Sequence, residues 1–122
     1  MSRILLNFTN HPLPTWTAEQ LKAAEQYGKI VDYKFPLVDP SADEQKIMEM
    51  AERYVAEFIT AYGPAGNLTV HISGDPTFCF ACVSLLKSAG VCCIASCTYR
   101  DSIVLPDGTK ISKYKFIRFR KY

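Results

Sequence analysis

Two hydrophobic periods alternate along the chain. Ile4-Leu5-Leu6-Asn7-Phe8 is a short, nearly unbroken apolar run, as in a strand buried on both faces, and Thr9-Asn10-His11-Pro12-Leu13-Pro14 breaks it. Thr17-x-x-Gln20 has the form of a capping box, so a helix is expected from there, with Leu21, Ala24 and Tyr27 on one face and Gly28 just past its end. Ile30 to Phe35 reads as a short strand, followed by a loop fenced by Pro36 and Pro40. Ser41-x-x-Glu44 has the same capping form, and Asp43 and Glu44 complement the dipole of the helix it opens. In that helix Ile47, Met50, Ala51, Tyr54, Val55, Phe58, Ile59 and Tyr62 make one continuous stripe, which Gly63-Pro64 terminates.

Leu68, Val70 and Ile72 alternate with Thr69, His71 and Ser73, the period of a strand. Asp75 is then a natural N-cap, with Pro76 at the first helical position. The helix it opens, ended by Gly90, is apolar almost all round and calls for two partners: the sheet, and a second surface for which another copy of the chain is a candidate. Val91 to Cys97 reads as a buried central strand. Tyr99–Leu105 and Lys110–Phe119 flank Pro106-Asp107-Gly108 as a hairpin. The order β-α-β-α-β-α-β plus hairpin predicts an α/β fold: a Rossmann-like, mostly parallel sheet with helices on both faces and a C-terminal β-hairpin. No repeat or linker divides it, so residues 1–122 are expected to form a single Rossmannoid domain.

Composition changes this picture little. An apolar fraction of 48% and a charged fraction of 21% are ordinary for a globular domain. Met1 to Phe8 lacks the form of a signal peptide, and no segment approaches the roughly 18 apolar residues of a membrane span. A cytoplasmic protein is expected. Cys79, Cys82, Cys92, Cys93 and Cys97 lie in apolar runs and read as small buried hydrophobes. Charge is more informative. Residues 98–122 hold seven Lys and Arg against two Asp, a net of +5 in a chain of net +2, which leaves −3 elsewhere. Such a segment either attracts an anionic partner or is a solvated edge that resists aggregation.

Open α/β sheets bind ligands outside the carboxyl ends of their strands, so Asn7–His11, Gly74–Phe78 and Ser96–Arg100 should converge. Asn7, Thr9, Asn10 and His11 offer donors and acceptors suited to base edges and riboses, or else form a turn. Trp16 can stack on a base or pack on the first helix. Gly74 permits close backbone approach, and the amides of Thr77, Phe78 and Cys79 at a helix start suit an anion. Asp75 competes for those donors. His11 is the candidate for acid–base work; His71, on a strand, reads as a hydrogen-bonded structural residue. No zinc spacing, P-loop, Gly-x-Gly-x-x-Gly or Gly-x-Ser-x-Gly is present, so no metal or cofactor is expected. Cys79-x-x-Cys82 lacks the surroundings of a redox pair.

Leu5-Leu6-Asn7-Phe8-Thr9-Asn10-His11-Pro12, followed by Trp16 and Glu19-Gln20-Leu21, resembles small single-domain proteins of CRISPR loci related to CARF domains, the Rossmann-like sensors of cyclic oligoadenylate. Phe35-Pro36 and the closing Phe116-x-x-Phe119-Arg120-x-Tyr122 extend the likeness. The chain lacks the nuclease domain of full CARF effectors. The resemblance implies a homodimer binding a cyclic oligoadenylate across its two-fold axis, needing neither membrane nor long nucleic acid. It also implies metal-independent cleavage in those relatives that act as ring nucleases. Asn7, Thr9, Asn10, His11, Trp16, Gly74, Asp75, Thr77, Phe78 and Ser96 would then contact the ligand, with Arg100 as a phosphate clamp. His11 and Asn10 are the catalytic candidates. Two alternatives stand beside it. One is a non-catalytic interaction domain binding protein or nucleic acid through the third helix and basic hairpin. The other is an unrelated small enzyme using His11 or the cysteines.

Overall fold

The computed structural model describes residues 2–122, so Met1, the first residue of the expected domain, lies outside the described part. The elements are β1 (Ile4–Phe8), α1 (Ala18–Ala24), β2 (Lys29–Asp32), α2 (Glu44–Tyr62), β3 (Leu68–Ile72), α3 (Pro76–Ser88), β4 (Cys92–Val104) and β5 (Lys110–Lys121). They form one five-stranded sheet of order β2-β1-β3-β4-β5. The first four strands are parallel and β5 is antiparallel to β4. The chain is an α/β protein of Rossmann-like type, with the expected C-terminal hairpin.

Successive strand residues point to opposite faces, and the two faces build separate cores. Leu6, Phe8, Val70, Ile72 and Cys93 pack under α2 and α3 through Ile47, Ala51, Val55, Phe58, Phe78 and Cys82. Leu5, Ile94 and Phe119 pack on the other face with Ala24 of α1 and Trp16. Phe8 centres the larger core: its ring lies 5.0 Å from Phe35 and 4.9 Å from Phe58, centroid to centroid.

The helix starts divide. Thr17 and Asp75 cap α1 and α3 as expected, their side chains accepting from Gln20 N at 3.2 Å and Phe78 N at 3.0 Å. The reciprocal half of the first box is not made, because the Gln20 amide reaches Ser96 instead. Ser41 does not cap α2. Its hydroxyl is drawn to Asp39 at 2.8 Å, and Asp43 accepts from Lys46 N at 2.9 Å. Leu21 is exposed; the short α1 buries Ala24 rather than a Leu21 face.

Two further expectations change. β2 stops at Asp32 rather than Phe35, because Phe35 leaves the sheet to seat its ring between Phe8 and Phe78. The break expected near Thr98 is a bulge: Cys97 pairs with Arg118 and Thr98 with Phe116, leaving Ile117 unpaired, and β4 continues as one strand. α3 packs against α2 and buries Phe78, Cys79, Ala81, Cys82, Val83 and Leu86, while Phe80 is left 75% exposed.

β4 outruns its neighbour. Its last pairing with β3 is Ile94 with His71, and it continues to Val104 paired only with β5. The excess of roughly 30 Å, at about 3.4 Å per residue, makes a two-stranded arm beyond the carboxyl edge of the sheet. Tyr99, Ile103, Val104, Ile111, Tyr114 and Ile117 are exposed on it. Its turn is closed by Leu105 N donating to Thr109 O at 2.8 Å, with Gly108 at a φ of +88°.

Candidate functional site

The chain leaves β1 toward the face of α1 and leaves β3 toward the face of α3. β1 and β3 are neighbours, so their carboxyl ends are the switch point at which such sheets usually carry their ligand crevice. Asn10 and His11 stand exposed on one side of it, Gly74 and Thr77 on the other.

The first side is held rigidly from beneath. Asn7 is only 1% exposed. Its Nδ2 donates to the His11 carbonyl at 2.8 Å and to Asp32 Oδ1 at 2.9 Å. The Trp16 indole donates to the same His11 carbonyl at 2.8 Å, and Thr9 Oγ1 accepts from His11 N at 3.1 Å. Asp32 also accepts from Leu13 N at 3.2 Å. The loop backbone is fixed while the Asn10 and His11 side chains are left to solvent. Trp16 itself is 7% exposed, its ring edge-on to His71 and tilted against Phe119, so it packs in the α1-side core.

On the other side, Asp75 occupies the start of α3. It accepts from Phe78 N at 3.0 Å and from Thr77 Oγ1 at 2.7 Å, and these donors hold its carboxyl below the usual range. Phe78 is buried. Gly74 has a φ of +156°, and a Cβ there would overlap the Phe35 ring, so the close approach Gly74 permits is already taken by Phe35.

Beneath the crevice a chain of hydrogen bonds crosses the α1 face of the sheet. His71, 2% exposed, places Nδ1 2.9 Å from Asn7 Oδ1 and Nε2 2.7 Å from Ser96 Oγ. Gln20 Nε2 lies 3.2 Å from the same oxygen. The Asp32 carboxylate only accepts, which turns the Asn7 NH2 toward it and Oδ1 toward His71. His71 therefore carries its proton on Nδ1 and presents a lone pair at Nε2 to the Ser96 hydroxyl. Burial, with a smaller contribution from nearby His11, pushes the His71 pKa down to about 4, which keeps the ring neutral. Among the described residues every buried side-chain nitrogen and oxygen has a partner.

Position along the sequence alone understates His71 and Gln20. The available signal was register: polar Asn7 and His71 occupy the same level of adjacent strands. Ser96 joins this network, bringing the β1 and β4 segments together through His71. Arg100 does not join it. It lies on the arm, with Nη2 3.2 Å from Ser112 Oγ and its guanidinium 5.9 Å from the Tyr114 ring centre.

A cleft of about 380 Å³ opens beside the first loop, lined by Asn7, Thr9, Asn10, Pro12, Asp32, Tyr33 and Lys34. A larger groove of about 790 Å³ runs along the outer side of α2, between Leu37 and side chains such as Glu49 and Arg53. Its lining comes from the β2–α2 connection and α2, and includes none of Asn7, Asn10, His11, Gly74 or Thr77. Among the described residues no three His, Cys, Asp or Glu are grouped as metal ligands, and no helix is long and apolar enough to cross a membrane. No curated protein matches the chain. A family model does match it, over residues 3–120, and the chain belongs to the uncharacterized protein MJ1673 family.

Proposed function

We propose that the protein binds a cyclic oligoadenylate at the carboxyl edge of its sheet, across the two-fold axis of a homodimer. The observation that supports this reading is the divergence of the chain at β1 and β3, which puts the loop with exposed Asn10 and His11 and the loop with exposed Gly74 and Thr77 at neighbouring strand ends. An amide and an imidazole on a pre-fixed backbone suit an adenine edge and a ribose, at little ordering cost on binding. The adjoining cleft of about 380 Å³ sits at the small end of ligand sites, which span roughly 300–1,000 Å³. One cleft would take one nucleotide unit, and two clefts related by symmetry would share a ring. The arm carries Arg100, Lys110, Lys113 and Lys115 out on the same side of the sheet, which favours the approach of phosphates.

Calorimetric titration with cyclic tri-, tetra- and hexa-adenylate tests the site. One ring should bind, and Asn10→Ala and Arg100→Ala should each weaken it by about 10-fold or more, the worth of a hydrogen bond to a charged or polar ligand group. Wild-type affinity in both variants refutes the site. Chromatography of the same mixture separates a binder from a ring nuclease.

The arm supports a second reading, an interaction domain for protein or nucleic acid. Its exposed tyrosines and cations resemble the surfaces that bind single strands. That reading predicts affinity for generic RNA or DNA that falls steeply with salt.

A further inference from the structure

The hydrogen-bonded chain through His71 has the parts of an activated nucleophile. A hydroxyl becomes nucleophilic when a neutral base lies within hydrogen-bond reach and a third group fixes the base's tautomer. Here Ser96 Oγ stands 2.7 Å from His71 Nε2, and His71 Nδ1 stands 2.9 Å from Asn7 Oδ1. Asp32 orients Asn7 in turn, at 2.9 Å. The inner members are buried and fully partnered, while Ser96 at the outer end is partly exposed. It sits past the last β3–β4 pair, at the carboxyl edge. The opposite end, Asp32, is also exposed, but as a carboxylate it only accepts, so Ser96 is the end that carries a hydroxyl.

We propose that Ser96 is a nucleophile for acyl transfer from small carboxylic esters, with His71 as its base. Ser96 Oγ would attack the ester carbonyl carbon while its proton moves to His71 Nε2. The tetrahedral oxyanion meets the Gln20 Nε2 donor, which now lies 3.2 Å from Oγ. The C–O bond to the alcohol breaks as His71 returns the proton to the leaving oxygen. Water then hydrolyses the acyl-serine by the reverse proton path, releasing the acid and restoring Ser96. This activity is independent of the ligand proposed above.

A fluorophosphonate probe tests it, because the same attack displaces fluoride and leaves a stable phosphonyl-serine. Intact mass and peptide mapping of the folded wild-type protein should show one adduct, on Ser96. Ser96→Ala should give none, and His71→Gln should slow labelling by about 100-fold or more, the usual worth of a general base. Circular dichroism checks that His71→Gln is folded. If it is not, heat-denatured wild type replaces it and should not label, since the fold supplies the activation. No adduct on folded wild type, an adduct elsewhere, or equal labelling of folded wild type and the comparison sample overturns the proposal.

Discussion

Asn7 shows how one side chain can serve both a loop and a network. Its NH2 ties the loop carbonyl of His11 to Asp32, and its carbonyl oxygen accepts a hydrogen bond from His71 Nδ1. His71 gives a pH prediction. Its pKa is about 4 when folded and near 6.5 when unfolded. The unfolded chain therefore binds the extra proton between those values, so stability is full above about pH 6.5 and falls as pH drops toward 4. The groups facing the ring are Ser96, Asn7, the Trp16 and Phe119 rings, and nearby His11. Denaturant unfolding at pH 7 and pH 4.5 should show wild type losing about 2 kcal/mol more than His71→Gln. An equal loss in both would contradict a buried neutral imidazole. Cysteine reactivity should divide in the same way. Burial pushes Cys79 up to about 11 and Cys82 and Cys93 up to about 12, while Cys92 and Cys97 are partly exposed. Native alkylation at pH 8 should modify only Cys92 and Cys97, and denaturation should release all five. At this scale the sequence was readable where chemistry is local: Thr17 and Asp75 are caps because their own amides lie within reach. It was mute on Trp16, whose stacking or packing depended on Phe119, about a hundred residues away along the chain.

Elements followed the hydrophobic period closely, because burial dominates their placement. The stripe from Ile47 to Phe58 became the buried side of α2, and the alternation around Val70 became β3. Boundaries depended on tertiary contacts instead. β2 ended early because Phe35 was needed in the core, and β4 ran through Thr98 because β5 absorbed the irregularity as a bulge at Ile117. The start of α2 is a direct test, since the sequence pointed to Ser41 as the cap and the structure places Asp43 there. Asp43→Ala should lower the unfolding free energy by about 1 kcal/mol, as it removes the acceptor for Lys46 N. Ser41→Ala should cost less than about 0.5 kcal/mol, the range of ordinary surface changes. The reverse ranking would place the cap at Ser41. Gly74 is the sharper element boundary. A Cβ there would press into Phe35 at a φ favouring glycine, so Gly74→Ala should destabilise by more than about 1 kcal/mol in the same denaturation assay.

The whole molecule presents one asymmetric feature, a basic arm standing roughly 30 Å past the sheet edge. An isolated two-stranded ribbon is at best marginally stable in water, and this one exposes apolar and cationic side chains together. Its position beyond the β1–β3 crevice follows from strand order, which spacing alone did not give; the hairpin itself was legible in Pro106-Asp107-Gly108. The central claim is that this edge recognises a ring of adenylates. The most direct measurement is a thermal-shift series with cyclic tri-, tetra- and hexa-adenylate beside linear oligoadenylates, NAD and ATP. A ligand that binds only the folded state stabilises it by RT ln(1 + [L]/Kd), so one ring should raise the melting temperature in a saturable way while the linear forms, NAD and ATP do not. No shift with any ring at saturating concentration, or an equal shift with the linear forms, would contradict it.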